Sequence, residues 1–68
     1  MIKVHLARMM GERKLNITDV ARATNLNRNT VTLLYRETAR RVDFETLEAL
    51  CQFFECEVGD LVEYIEEQ

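Results

Sequence analysis

Two short apolar stripes separated by only three residues constrain this chain most. From residue 17 to residue 24, apolar or small side chains recur at a spacing of three and four, which predicts an amphipathic helix. The same spacing resumes at residue 28. Between them, Asn25 suits a left-handed helix end, Leu26 can fill the corner, and Asn27 suits the position before a new helix. The sequence therefore predicts two helices, 17–24 and 28–36, joined by a tight turn.

The inner faces of these helices follow from the same spacing. They are predicted to be Ile17, Val20, Ala21 and Thr24 in the first, and Val31, Leu34 and Tyr35 in the second. Asn16, with Asp19 three residues later, predicts a capping box at the start of the first.

The rest of the chain predicts three more helices, and so an all-α fold of five helices. The apolar positions of a first helix, 1–14, are Ile2, Leu6, Met9 and Met10. Those of a helix over 44–54, capped by Asp43, are Phe44, Leu47, Leu50, Cys51 and Phe54. Gly59 and Asp60 open a short last helix with Leu61, Val62, Tyr64 and Ile65. The absence of proline and the presence of only two glycines fit short connections within one domain, residues 1–68.

The outer face of helix 28–36 carries residues that packing does not need. Arg28, Thr32 and Arg36 recur every four residues opposite the apolar stripe, and Asn29 and Leu33 flank that line. Asn and Thr are mediocre helix formers, so helix stability does not explain their choice. We expect this face to read the DNA major groove. The alternatives are a solvated helix start at Arg28 and Asn29, and a core edge or dimer contact at Leu33.

Charge is divided unevenly along the chain. Nine Lys and Arg against three acids give residues 1–41 a net charge of +6, whereas residues 42–68 hold nine acids and no Lys or Arg, a net charge of −9. Phosphate attraction acts over a Debye length of about 8 Å, so a basic half can bind DNA while the acidic half faces away. A chance imbalance, or attraction between the two halves, is the alternative.

Other function classes find little support. Cys51 and Cys56 with a distant His5 fall short of the four ligands of a zinc site, and we expect the cysteines to be small apolar residues in a reducing cell. The sequence suggests no cofactor, small-molecule ligand or enzymatic constellation. No apolar run reaches the roughly 18 residues of a membrane span, and the first ten residues lack the apolar block of a signal peptide, so we expect a cytoplasmic protein.

Two stretches resemble a known family. "VARATNLNRNTVTLLY" and "DFETLEALCQFFECEVGDLVEYI" together resemble the Cro/CI-type, or XRE, helix-turn-helix transcriptional regulators, in a small single-domain branch. The resemblance implies a phage-repressor-like fold and a transcriptional regulator, of the repressor type, that binds operator DNA, often as a dimer. It implies base contacts at Arg28, Asn29, Thr32 and Leu33. It implies phosphate contacts at Asn16, Ile17, Thr30, Arg36, Arg40 and Arg41.

Three further expectations remain open at this point. Val62, Tyr64 and Ile65 are candidates for a homodimer contact, or they only close the core. Glu37 is expected to pair with Arg40 or Arg41. The alternative function is a protein-interaction module of a toxin–antitoxin or phage control system, which would use the acidic C-terminal half to recruit a basic partner.

Overall fold

The computed structural model describes residues 1–67, so the last residue of the predicted domain, Gln68, lies outside the described residues. Within that range the chain forms five helices and two short strands. In chain order they are β1 (Ile2–Val4), α1 (Leu6–Glu12), α2 (Ile17–Thr24), α3 (Arg28–Tyr35), α4 (Phe44–Phe54), α5 (Val58–Leu61) and β2 (Val62–Tyr64).

The two strands correct the all-α prediction. β1 and β2 pair antiparallel, with Ile2 opposite Tyr64 and Val4 opposite Val62. The predicted helix 1–14 is therefore wrong at its start, and the last predicted helix is wrong beyond Leu61. Both segments alternate apolar and charged residues, which suits a strand, but three residues are too few to distinguish this from helical spacing.

The helix-turn-helix was predicted correctly, and the reason is local. The Asn16 side chain accepts from the amide of Asp19, and the Asp19 side chain accepts from the amide of Asn16, which completes the capping box. Asn25 ends α2 in the left-handed region at φ 61°. The Asn27 side chain then accepts from the amide of Asn29 at 2.7 Å and caps α3. Leu26 packs against the core from inside the turn.

The core joins all five helices. Its buried apolar residues are Leu6, Met10, Val20, Val31, Leu34, Leu50, Phe54 and Leu61. The half-buried Met9, Ile17, Ala21 and Leu47 pack against them. Because α2 and α3 both contribute side chains to this core, packing fixes α3 with its opposite face outward.

Several residues of the predicted apolar stripes are not buried, among them Ile2, which is 62% exposed on β1. The Tyr35 side chain is 41% exposed and lies beside Met10, Leu15 and Ile17. Phe44 is 87% exposed, because it stands about 120° around α4 from the buried Leu50. Thr46 is buried in its place, with its amide bonded to the Asp43 cap at 2.8 Å.

α4 ends in a Schellman motif that brings the two cysteines together. Glu55 takes φ 52°, the amide of Cys56 donates to the carbonyl of Cys51 at 3.0 Å, and the amide of Glu55 donates to that of Gln52. The side chains that adjoin in this motif are those of Cys51 and Cys56, which are free and half-buried. Burial raises the pKa of the Cys56 thiol.

No helix formed by residues 1–67 combines the length and the apolar character that a membrane crossing requires.

Candidate nucleic-acid interface

The first turn of α3 presents two exposed polar side chains and unpaired amide groups. The first helical hydrogen bond of α3 is donated by Val31 to the carbonyl of Asn27 at 3.2 Å. The amides of Arg28 and Thr30 precede it and point out of the helix end. Arg28 and Asn29 are exposed. This end of the helix therefore offers a ligand two kinds of hydrogen-bonding group, the polar side chains of Arg28 and Asn29 and the free backbone N–H groups.

Thr32 and Leu33 continue the outer face one turn further. The Thr32 hydroxyl donates to the carbonyl of Arg28 at 2.9 Å, so its oxygen keeps lone pairs for an outside donor and its methyl group lies beside them. Leu33 is 38% exposed, although its neighbour Leu34 is buried. The structure thus brings four of the predicted residues, Arg28, Asn29, Thr32 and Leu33, onto one helix.

The N-terminus of α2 holds two more predicted residues. The Asn16 side chain is engaged in the capping box, and Ile17 is half-buried against the core. An isoleucine side chain cannot bind phosphate, but the amides of Ile17 and Thr18 precede the first helical bond, which Val20 donates to Asn16. Any anion contact at Ile17 would therefore come from its backbone.

The segment after α3 carries three exposed arginines, Arg36, Arg40 and Arg41. The carbonyl of Leu33 anchors this segment by accepting from the amides of Thr38 at 2.9 Å and Ala39 at 3.3 Å. The arginines are thus held by backbone hydrogen bonds to the same helix that carries Arg28.

Glu37 does not pair with Arg40 or Arg41, which corrects that expectation. It takes φ 59° just after α3, and its carboxylate accepts from Lys3 Nζ at 3.1 Å and from the amide of Val4 at 3.3 Å. The hydrogen bond from Lys3 holds the pKa of the Glu37 carboxyl below its ordinary value. Glu37 therefore points toward β1, which leaves the two arginines without its negative charge.

The family model for the Cro/C1-type HTH DNA-binding domain matches residues 5–67. The chain belongs to this family. It is also similar to a protein of Bacillus subtilis (strain 168) named as an uncharacterized HTH-type transcriptional regulator, YozG. The two are 29% identical over 63 residues, which cover 93% of this chain and 75% of the relative. The chain is thus a helix-turn-helix DNA-binding domain, with α2 and α3 as its motif.

One basic residue of this Cro/C1-type domain has a structural role that the sequence did not suggest. The Arg13 guanidinium donates to the carbonyls of Phe54 at 2.8 Å and Phe53 at 3.4 Å, and lies 5.0 Å from the centre of the Phe54 ring. It closes the C-terminus of α4, which no local pattern around residue 13 indicates. Together with Lys3, which bonds to Glu37, it is a cation already engaged within the domain.

Proposed function

We propose that this Cro/C1-type domain is a transcriptional regulator, a repressor, that binds operator DNA as a homodimer through the single domain 1–68. It reads the major groove with α3. The observation that carries this proposal is the outer face of α3, whose first turn presents the exposed polar side chains of Arg28 and Asn29. The named function of the Bacillus subtilis relative, transcriptional regulation, supports the same reading.

Base reading is proposed for the four residues of that face. Arg28 suits guanine, because its fork matches the O6 and N7 acceptors, and Asn29 suits adenine through N6 and N7. The Thr32 oxygen, whose proton goes to the carbonyl of Arg28, suits a base donor such as an exocyclic amine. Leu33 supplies an apolar contact for a thymine methyl. The exposed first turn of α3 supports this order, because that end of a recognition helix enters the groove.

Phosphate contacts are proposed for the two flanks of α3. On one side, Asn16 and the amide of Ile17 lie at the N-terminus of α2, where unpaired N–H groups favour anions. On the other, Arg36, Arg40 and Arg41 are exposed on the segment anchored by Leu33. Thr30 is half-buried beside the first turn of α3, and its amide is a further donor. These contacts would fix the register of α3 without selecting sequence.

A homodimer is proposed because two half-sites about 34–36 Å apart raise both affinity and specificity. Val62 and Tyr64 lie on β2 and Ile65 follows it, instead of lying on a last helix. Tyr64 is 71% and Ile65 39% exposed, which supports them as contact residues more than as core residues. A repressor role follows if the bound dimer covers its operator and excludes other proteins from it.

Selection from a randomised duplex pool tests this function. The selected duplex and a scrambled duplex are then compared by fluorescence anisotropy at about 50 and 200 mM salt. We expect a palindrome and a steep loss of affinity with salt. Failure to enrich any sequence, together with salt-independent anisotropy, would contradict the proposal.

A further inference from the structure

α4 borders an apolar groove on the surface, whose floor includes side chains that also pack against the core. We name it the α4 groove, and it is lined by Phe44, Leu47, Glu48, Cys51, Gln52, Cys56 and Val58. It is an open groove with a volume of about 630 Å³, and binding clefts typically measure about 300–1,000 Å³. Phe44 at its mouth is 87% exposed and Val58 is 48% exposed. Exposed aromatic and apolar side chains around a cleft are typical of interaction sites.

The surroundings of this groove are acidic. Glu48 lines it, and Glu45 lies three residues earlier on α4, next to Phe44. Glu55 and Glu57 are exposed on either side of Cys56. Residues 42–68 contain no Lys or Arg to offset these charges. The positive charge of Arg13 does reach the Cys56 end of the groove, where it favours the thiolate form of Cys56. Arg13 is held there, at the C-terminus of α4, by hydrogen bonds to the carbonyls of Phe53 and Phe54.

The acidic residues around the groove distinguish between three molecules that could occupy it: DNA, a second copy of the chain and a basic protein partner. DNA phosphates would meet acids there. A second copy of the chain, joined through the same face by two-fold symmetry, would place Glu45 and Glu48 near their own equivalents, and like charges at an interface cost affinity. A basic partner gains from the same charges, so complementarity favours a protein segment that combines apolar anchors with Lys or Arg.

The length of the groove can accommodate a helical segment. The groove runs along α4, whose 11 residues span about 16 Å. An amphipathic helix presents anchors at i, i+3 or i+4, and i+7, which covers about 10 Å, and this matches the length from Phe44 to Cys51. Its basic residues would lie along Glu45 and Glu48, because Arg13 holds the opposite end of α4.

We propose that the α4 groove binds a basic amphipathic helix of a partner protein, with Phe44 as an apolar contact at its mouth and Glu48 as the charged contact. None of the residues that line this groove lies on α3 or is among those proposed to contact DNA. A regulator equipped in this way could be bound by a protein while it holds DNA.

The test uses a synthetic helical peptide of about 18 residues with Leu along one face and Lys elsewhere, labelled with fluorescein. A control peptide keeps the Leu face and has Glu in place of Lys. The full chain is compared with Phe44→Ser, with Glu48→Lys and with Glu12→Lys, a matched charge reversal at an exposed acid outside the groove. Circular dichroism verifies that each variant is folded. We expect Phe44→Ser to fold, because Phe44 is exposed and contributes little to the core.

We expect the Lys peptide to bind the wild-type chain, and Phe44→Ser and Glu48→Lys each to weaken binding about tenfold. Glu12→Lys should leave the affinity unchanged. Amide chemical shifts should change over residues 44–58 and stay constant in α3. Phe44→Ser should also bind the selected DNA as the wild type does, so a failure of the DNA proposal is seen separately.

Four results would overturn the proposal. Equal affinity for the Glu peptide would indicate an apolar site without charge selection. Equal loss in Glu12→Lys would indicate bulk charge attraction. Shifts confined to α3 would place the peptide elsewhere. Self-association in sedimentation equilibrium that Phe44→Ser abolishes would show that a second copy covers the groove.

Discussion

Replacing Arg28 by alanine separates base reading from simple charge attraction. Arg28 is exposed, and alanine is a better helix former, so we expect the free energy of unfolding to change by less than about 0.5 kcal/mol. A lost bidentate contact to guanine costs about 1–3 kcal/mol, or roughly 5- to 150-fold in affinity. In a homodimer the loss occurs at both half-sites, so the operator is weakened by about 2–6 kcal/mol.

The assay is fluorescence anisotropy on the selected operator and on duplexes with the base pair facing Arg28 exchanged. The wild type should distinguish these duplexes, whereas Arg28→Ala should bind them alike. Arg40→Ala is the matched control, because it removes the same charge from the segment after α3. It should weaken all duplexes similarly and reduce the salt slope by about 0.9 per protomer. Equal loss of affinity for operator and scrambled DNA in Arg28→Ala would refute the base-reading role.

Three further predictions concern the scaffold. Leu50→Ala, at a fully buried core position, should lower the free energy of unfolding by about 2–5 kcal/mol in urea titration; a loss below about 1 kcal/mol would contradict the proposed core. Asn27→Ala removes the cap of α3 and should cost about 1 kcal/mol, whereas Asn27→Ser should restore most of it in the same assay. Hydrogen bonds from the side chain and backbone of Thr46 lower the pKa of Asp43 from its ordinary 3.8, so the stability it contributes should be complete above that pH and disappear as pH falls through the lowered pKa. Asp43→Asn keeps a capping side chain and should flatten this acid dependence in thermal unfolding; an unchanged pH profile would contradict it.

Sequence reasoning succeeded where a few adjacent residues determine the structure. Asn16 with Asp19, the left-handed Asn25 and the cap at Asn27 each act within four residues, so their spacing was sufficient to place α2 and α3. It failed at β1 and β2, because their pairing joins residues about 60 positions apart and gives each strand only three residues. No local pattern reports such a partner.

In the candidate site, too, the features set by neighbouring residues were predicted and those set by distant residues were not. The exposure of Arg28 and Asn29 followed from the stripe of Val31 and Leu34 on the opposite face. The contacts of Arg13 and Glu37 did not, because their partners lie on α4 and β1. Tyr35 was placed in the core by spacing alone. At the edge of an apolar stripe, a tyrosine keeps its polar end in water, which the spacing cannot indicate.

Two helices end at a left-handed residue that is not glycine, and a glycine there would make the domain more stable. Lys14 and Glu55 take φ 55° and 52°, where a side chain costs about 1 kcal/mol that glycine would not. Glycine at either position would recover part of this, after its greater freedom in the unfolded chain is subtracted. Neither residue lies on α3. The domain could therefore acquire destabilising substitutions on its recognition face, as a change of operator would require, and regain the loss at these two positions without altering what it reads.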